Sequence, residues 1–319
     1  MYEIRTDLAL EAREKFEEDN IEVKGVVLEE KNVGKDMLIS KVVIETENGA
    51  KSMGKPKGTD ITLEAPNMME DNEDYHREIS EELARIIREL VPLEKKDVSI
   101  LVVGLGNREV TPDALGPNVV DNLFITRHMI REFGTYALGE EHTNQISGIV
   151  PGVMAQTGME SLEIVQGVVK QTKPDYIVVI DALAARSVKR LNRTIQITDA
   201  GIHPGSGVGN YRNGISKESL GVPVIAIGVP TVVDAATIVN DTMSSLIGAM
   251  TEAEHLKKIG NSLNALEESE KHELFRELLS PYLNAMFVTP KDIDESIKQI
   301  SFTLSEGLNM AFQNQENLS

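Results

Sequence analysis

Three runs of nearly uninterrupted aliphatic and β-branched residues constrain this chain most: "VSILVVG" (98–104), "YIVVIDA" (176–182) and "VPVIAIG" (222–228). A strand that is apolar on both sides needs cover on both faces, which a parallel sheet held between helical layers provides. Helical periodicity fills the intervals, in "NVVDNLFITRHMIREF" (118–133), "MESLEIVQGVVKQT" (159–172) and "TVVDAATIVNDTMSSLIGAM" (231–250). The alternation predicts an α/β fold with a mostly parallel sheet and crossover connections. Ahead of it, residues 21–65 alternate with period two around "NVGKD" and "ENGAKSMGKPKG", as antiparallel strands joined by turns do. "REISEELARIIREL" (77–90) places apolar residues at helical spacing and is stopped by Pro92. From 252 onward the pattern is helical, in "ESEKHELFRELLSPYL" and "PKDIDESIKQISFTLSEGLNMAF". The expected organisation is one domain over 1–319: an antiparallel β addition at 21–65, an α/β core at 98–250 and a helical segment at 252–319.

Composition narrows the chemistry. With 51 acidic against 32 basic side chains the formal charge is −19, a surface that repels a phosphate backbone, so direct nucleic-acid binding is not expected. There is no cysteine, which removes disulfides, thiolate nucleophiles and Cys-ligated metals. The apolar runs are strand-length, well short of a membrane span. The first residues carry neither a basic nor an apolar export region, so a cytoplasmic location is the default.

In an open parallel sheet, ligands bind beyond the carboxyl ends of the strands. The first buried run continues into "GLGNREVTPDALGP" (104–117). Its Gly104 and Gly106 suggest a dinucleotide fingerprint, but Glu109 stands where the third glycine belongs, so no nicotinamide cofactor is expected. Asp113 remains, just before a helix, where capping is the commonest role of an aspartate. The second run ends in Asp181 of "VVIDALAAR". A carboxyl at that edge is placed for acid–base work if burial raises its pKa, and a core ion pair with Arg186 is an equal alternative. The third cluster, "ITDAGIHPGSGVGN" (197–210), holds His203, Gly205 and Gly207 and could offer backbone N–H groups to an oxyanion, or be only a tight connection. "KHELF" is not a zincin motif and "PGSGVG" is not a nucleophile elbow. Spacing alone therefore leaves two strand-end aspartates and no named reaction.

"LVVGLGNREVTPDALGP", "PDYIVVIDALAAR", "GIHPGSGVGN" and "LGVPVIAIGVPTVVDA", in this order, with "MFVTPKDID" (286–294) near the C-terminus, closely resemble the germination protease family of spore-forming bacteria. The resemblance implies a fold similar to that of the hydrogenase maturation proteases. It also implies an endopeptidase made as a zymogen, assembled as a homotetramer and working in the spore core on small acid-soluble spore proteins. The essential pair of this atypical aspartic peptidase family falls on Asp113 and Asp181, with no cofactor and no metal. The family cuts within Thr-Glu-(Ile or Phe)-Ala sequences, after the acid. Thr6-Asp7-Leu8-Ala9 has the same form, so residues 1–7 are expected to be a propeptide removed between Asp7 and Leu8. Two readings from other classes remain: a metal-dependent maturation-type protease using the strand-end acids with His203, and a non-catalytic binding protein for basic spore proteins.

Overall fold

In the computed structural model of the chain, the residues described are 24–91, 98–134, 138, 144–185, 187–205, 212–266 and 286–313. The expected propeptide with Asp7 and Leu8, Arg186, Gly207 and the whole segment 268–283 lie outside them.

Nine strands among the described residues form one sheet: β1 (Val26–Val33), β2 (Met37–Ile44), β3 (Gly58–Glu64), β4 (Ser99–Gly104), β5 (Gln145–Ile149), β6 (Tyr176–Ala185), β7 (Thr194–Thr198), β8 (Val224–Asp234) and β9 (Phe287–Val288). The order is β1-β2-β3-β7-β8-β6-β4-β5, with β9 on β8. Strands β8, β6, β4 and β5 pair in parallel, as the three apolar runs require. The N-terminal strands pair antiparallel and join this core through β7, so the addition extends the same sheet.

The helices used below are α1 (Glu47–Met53), α2 (Glu73–Leu90), α3 (Leu115–Asp121), α4 (Arg127–Phe133), α5 (Ser161–Thr172), α6 (Ala235–Glu252), α7 (Lys257–Asn264) and α8 (Ile293–Phe312). Alternation along the strands sorts the core into two layers. Ile100, Val102, Val178, Ile180, Ile225 and Ile227 pack under α2, α3 and α8, while Leu101, Val103, Ile177 and Val179 face Val165 and Val169 of α5. Helix α8 is a core element, with Ile297, Ile300, Leu304 and Leu308 at most 1% exposed. Its Gly307 lets α2 approach so closely that a Cβ there would lie 2.9 Å from both Leu83 Cδ2 and the Ser80 carbonyl oxygen. His76 of α2 hydrogen-bonds Thr303 of α8 through Nδ1 at 2.8 Å.

Three expectations need correction. The helix over 118–133 is two helices, the first ending at Asp121 and the second beginning after buried Thr126, whose Oγ1 is engaged with β5: it donates to the Asn144 carbonyl (2.6 Å) and accepts the Ile146 N–H (2.9 Å). The helix expected from 231 begins only at Ala235. Val232 and Val233 extend β8 against Ala184 and Ala185, and Asp234 then caps α6 by accepting the Ala236 N–H at 2.8 Å. The connection around "ENGAKSMGKPKG" contains α1, capped by Thr46, whose side chain accepts the Gly49 N–H at 3.0 Å. Strands β5 and β7 were not expected at all.

Leu304 of α8 is fully buried in the core cluster that α8 shares with α2 and the sheet, so Leu304→Ala is expected to cost about 2–5 kcal/mol by chemical denaturation. The same truncation at exposed Lys298 on the same helix should stay within about 0.5 kcal/mol.

Candidate functional site

Strand β4 stops at Gly104, opposite Ile180, while its neighbour β6 continues to Ala185. Asp181 therefore lies one residue past the end of β4 and inside β6, not at the strand terminus that its sequence position suggested. It is 6% exposed and follows Ile177 and Val179 on the α5-facing side. One carboxylate oxygen accepts the Ala182 N–H at 3.0 Å.

The chain leaving β4 crosses over its end. Leu105 belongs to the α5-side cluster and Leu115, ten positions on, to the opposite one. Between them, Thr111–Asp113 form a single 3-10 turn in contact with both β6 and β8. Two backbone approaches hold this crossing down. The Leu105 N–H donates to the Ile180 carbonyl at 2.8 Å, and a Cβ on Gly116 would lie 2.6 Å from that same oxygen. Gly106, at φ +114°, passes so near the turn that a Cβ would stand 1.9 Å from the Asp113 carbonyl oxygen. The "GLG" sequence thus makes room for Asp113; it is not a remnant of a phosphate loop.

Asp113 does not cap the following helix, since α3 has no side-chain cap and its N-cap position is Ala114. Its Oδ2 instead accepts the Asn107 N–H at 2.8 Å. The Asn107 side chain accepts from the Glu109 N–H (3.0 Å) and from Gln156 Nε2 (2.9 Å), anchoring the loop from a separate segment. Burial pushes the Asp113 carboxyl above its ordinary value, and the Asn107 N–H, which favours the ionised form, offsets part of that rise. Both aspartates are thus brought to the same end of β4, one from β6 and one from the turn packed against it.

The described residues of the glycine-rich cluster that follow β7 are tied by reciprocal Ile202–Ile215 hydrogen bonds of 2.9 and 2.8 Å. His203 is exposed, with its ring so close to Gly214 that a Cβ there would lie 2.7 Å from Nε2. Gly205 takes φ +72° in the same loop. In the sheet order β8 lies between this loop's strand and β6. Among the described residues no group of three or more His, Asp or Glu side chains is placed to hold a metal ion. No helix among them is long and apolar enough to cross a membrane. Two residues that support Asp113, Thr231 and Gln156, carry no motif that marks them; each is identified by a hydrogen bond to a distant segment.

The raised pKa of Asp113 sets a sign for stability. The folded protein holds the Asp113 proton more tightly than the unfolded chain, so stability is lost as pH rises from the ordinary carboxylate value through the raised folded one. Asp113→Asn keeps an acceptor for the Asn107 N–H and carries no such loss. Denaturation of the two proteins across this window is expected to show the variant gaining on the wild type as pH rises, the gain vanishing in acid.

The family model described as germination protease matches residues 3–259 and 248–318. A germination protease of Caldanaerobacter subterraneus subsp. tengcongensis is 49% identical over 97% of this chain and 94% of its own length. One from Clostridium perfringens is 44% identical over 98% and 96%, and one from Geobacillus sp. strain WCH70 is 41% identical over 99% and 95%. Among solved structures, the [NiFe] hydrogenase maturation protease HycI from Thermococcus kodakarensis KOD1 aligns with 45% of this chain and 80% of its own, at 19% identity and a TM-score of 0.28. By the family match and by these near full-length relatives, the chain belongs to the germination protease family.

Proposed function

We propose that this chain is an endopeptidase of spore germination in which Asp113 and Asp181 act as a carboxylate pair on one water molecule. The observation that carries the reading is the crossing of the 105–116 segment over the end of β4. It brings the turn that carries Asp113, whose pKa is shifted upward, into contact with the strand that bears the buried Asp181.

Two carboxylates at close range share one proton, because both cannot ionise comfortably. Asp113, pushed toward its protonated form by burial, is suited to carry it. The ionised partner, Asp181, takes a proton from water as the water oxygen attacks the peptide carbonyl carbon, and Asp113 protonates the carbonyl oxygen. Collapse of the tetrahedral gem-diol breaks the C–N bond: one of its hydroxyls returns a proton to Asp113 as the C=O re-forms, and the proton held by Asp181 passes to the leaving amine. Backbone N–H groups around His203, Gly205 and Gly207 are the candidate donors to the oxygen.

The substrates in this reading are small acid-soluble spore proteins, cut after the acid of a Thr-Glu-(Ile or Phe)-Ala sequence in the spore core. The match of Thr6-Asp7-Leu8-Ala9 to that sequence supports removal of residues 1–7 by one copy acting on itself or on a neighbour, and assembly as a homotetramer would place copies together. Intact-mass measurement after activation is expected to show loss of residues 1–7; a full-length mass in a preparation that cleaves substrate would refute the processing step.

For the central reaction, Asp113→Asn and Asp181→Asn are each expected to lower cleavage of a Thr-Glu-Ile-Ala peptide by at least about 1000-fold while the fold persists. Activity near wild type in either variant removes that residue from the mechanism. Cleavage by the wild type should survive excess chelator; its loss, restored by a divalent metal, would favour the metal-dependent reading.

A further inference from the structure

Strand β8 contains an irregularity beside the candidate site. Its pairing with β6 runs Leu183 to Pro230 and then Ala184 to Val232, so Thr231 is an extra residue with no partner on β6. Bulges of this kind turn one side chain out of the ladder and are common next to active sites. Thr231 is 1% exposed, and its hydroxyl donates to the Pro112 carbonyl at 2.7 Å. That carbonyl belongs to the peptide unit joining Pro112 to Asp113, so the bond fixes the plane from which the Asp113 side chain departs. The far side of the bulge is also held: the Thr289 hydroxyl donates to the Thr231 carbonyl at 2.9 Å, from the segment that continues β9.

The Asp113 turn is thus held from three sides. Asn107 binds the carboxylate, Gly106 allows the close approach, and Thr231 ties the preceding peptide to β8. Strand β8 is also the strand paired with Asp181, through Gly228, so a tie from β8 to the turn sets the two aspartates relative to one another. We propose that Thr231, placed by the β8 bulge, is a positioning residue for Asp113, and that its hydroxyl bond to the Pro112 carbonyl holds the carboxyl at its working distance from Asp181. This rests on the reading of Asp113 and Asp181 as the reacting pair.

A positioning role differs from a packing role in what it moves. Misplacing a reacting group lowers turnover far more than it lowers binding of an extended substrate. The test is peptide cleavage by Thr231→Val, which keeps the branched shape and deletes the hydroxyl, beside Thr231→Ser, which keeps the hydroxyl. Thr231→Val is expected to lose about 10- to 100-fold in kcat with KM within about twofold, and Thr231→Ser to stay within about threefold of wild type. Should Thr231→Val fail to fold, Thr231→Ser against Thr231→Ala isolates the hydroxyl, since both lack the same methyl; the serine variant is then expected to be the faster by the same 10- to 100-fold. Wild-type kcat without the hydroxyl, or equal losses with and without it, would overturn the proposal. Asp113→Asn in the same assay separates the two claims: an active Asp113→Asn defeats the reading of the pair, whereas an inactive one beside a fully active Thr231→Val defeats only the tie.

Discussion

The site depends on one close approach of backbone to backbone, where the segment 105–116 lies across the end of β4. A side chain at Gly104 would meet the Gly116 carbonyl oxygen at 2.3 Å, and one at Gly116 would meet the Leu105 and Ile180 carbonyl oxygens at 2.4 and 2.6 Å. Without Cβ atoms at those positions the crossing sits directly on the sheet, and the turn that follows Gly106 has nowhere to go but against β6 and β8. The position of Asp113 is therefore a consequence of sterics at glycines, reinforced by hydrogen bonds that were free to form once the chain was there. The same geometry explains why β4 ends early. Residues 181–185 of β6 are therefore left without a partner on β4.

Electrostatics then follow from placement. Asp181 sits at the end of an otherwise apolar row on β6, with a backbone N–H for a partner. Asp113 has a single backbone donor and a burial cost that outweighs it. Among the described residues most other carboxylates are exposed or partly exposed, so an aspartate driven toward its protonated form stands apart from the background. Carboxylates that salt-bridge, such as Asp121 with Arg108 just beyond the turn, are driven the other way. The two environments lie within one short stretch of chain.

Much of this was legible in the amino-acid order. The buried strands announce themselves because apolar residues on both faces leave few alternatives, and α2 and α8 because their apolar stripes keep helical period. Strands β5 and β7 did not, being five residues each and of mixed polarity, "QISGI" and "TIQIT". The break between α3 and α4 is also a tertiary effect: nothing local distinguishes Thr126 until β5 is present to be capped. At the site, Asp113 looked like a helix cap because its neighbours in sequence say so, and only the bond from Asn107 shows otherwise. Thr231 was invisible for a deeper reason. A bulge is a mismatch in register between two strands, and neither strand alone contains it.

The central claim is that the two aspartates titrate as a unit. Selective carbon-13 labelling of aspartate carboxyls, assigned with the two asparagine variants, would allow both groups to be followed by NMR as pH is changed. The account expects both resonances to report the same two steps, one below and one well above the ordinary carboxylate value, with replacement of either partner collapsing the other to a single step. Two independent single-step curves, each unaltered by loss of the other residue, would contradict it.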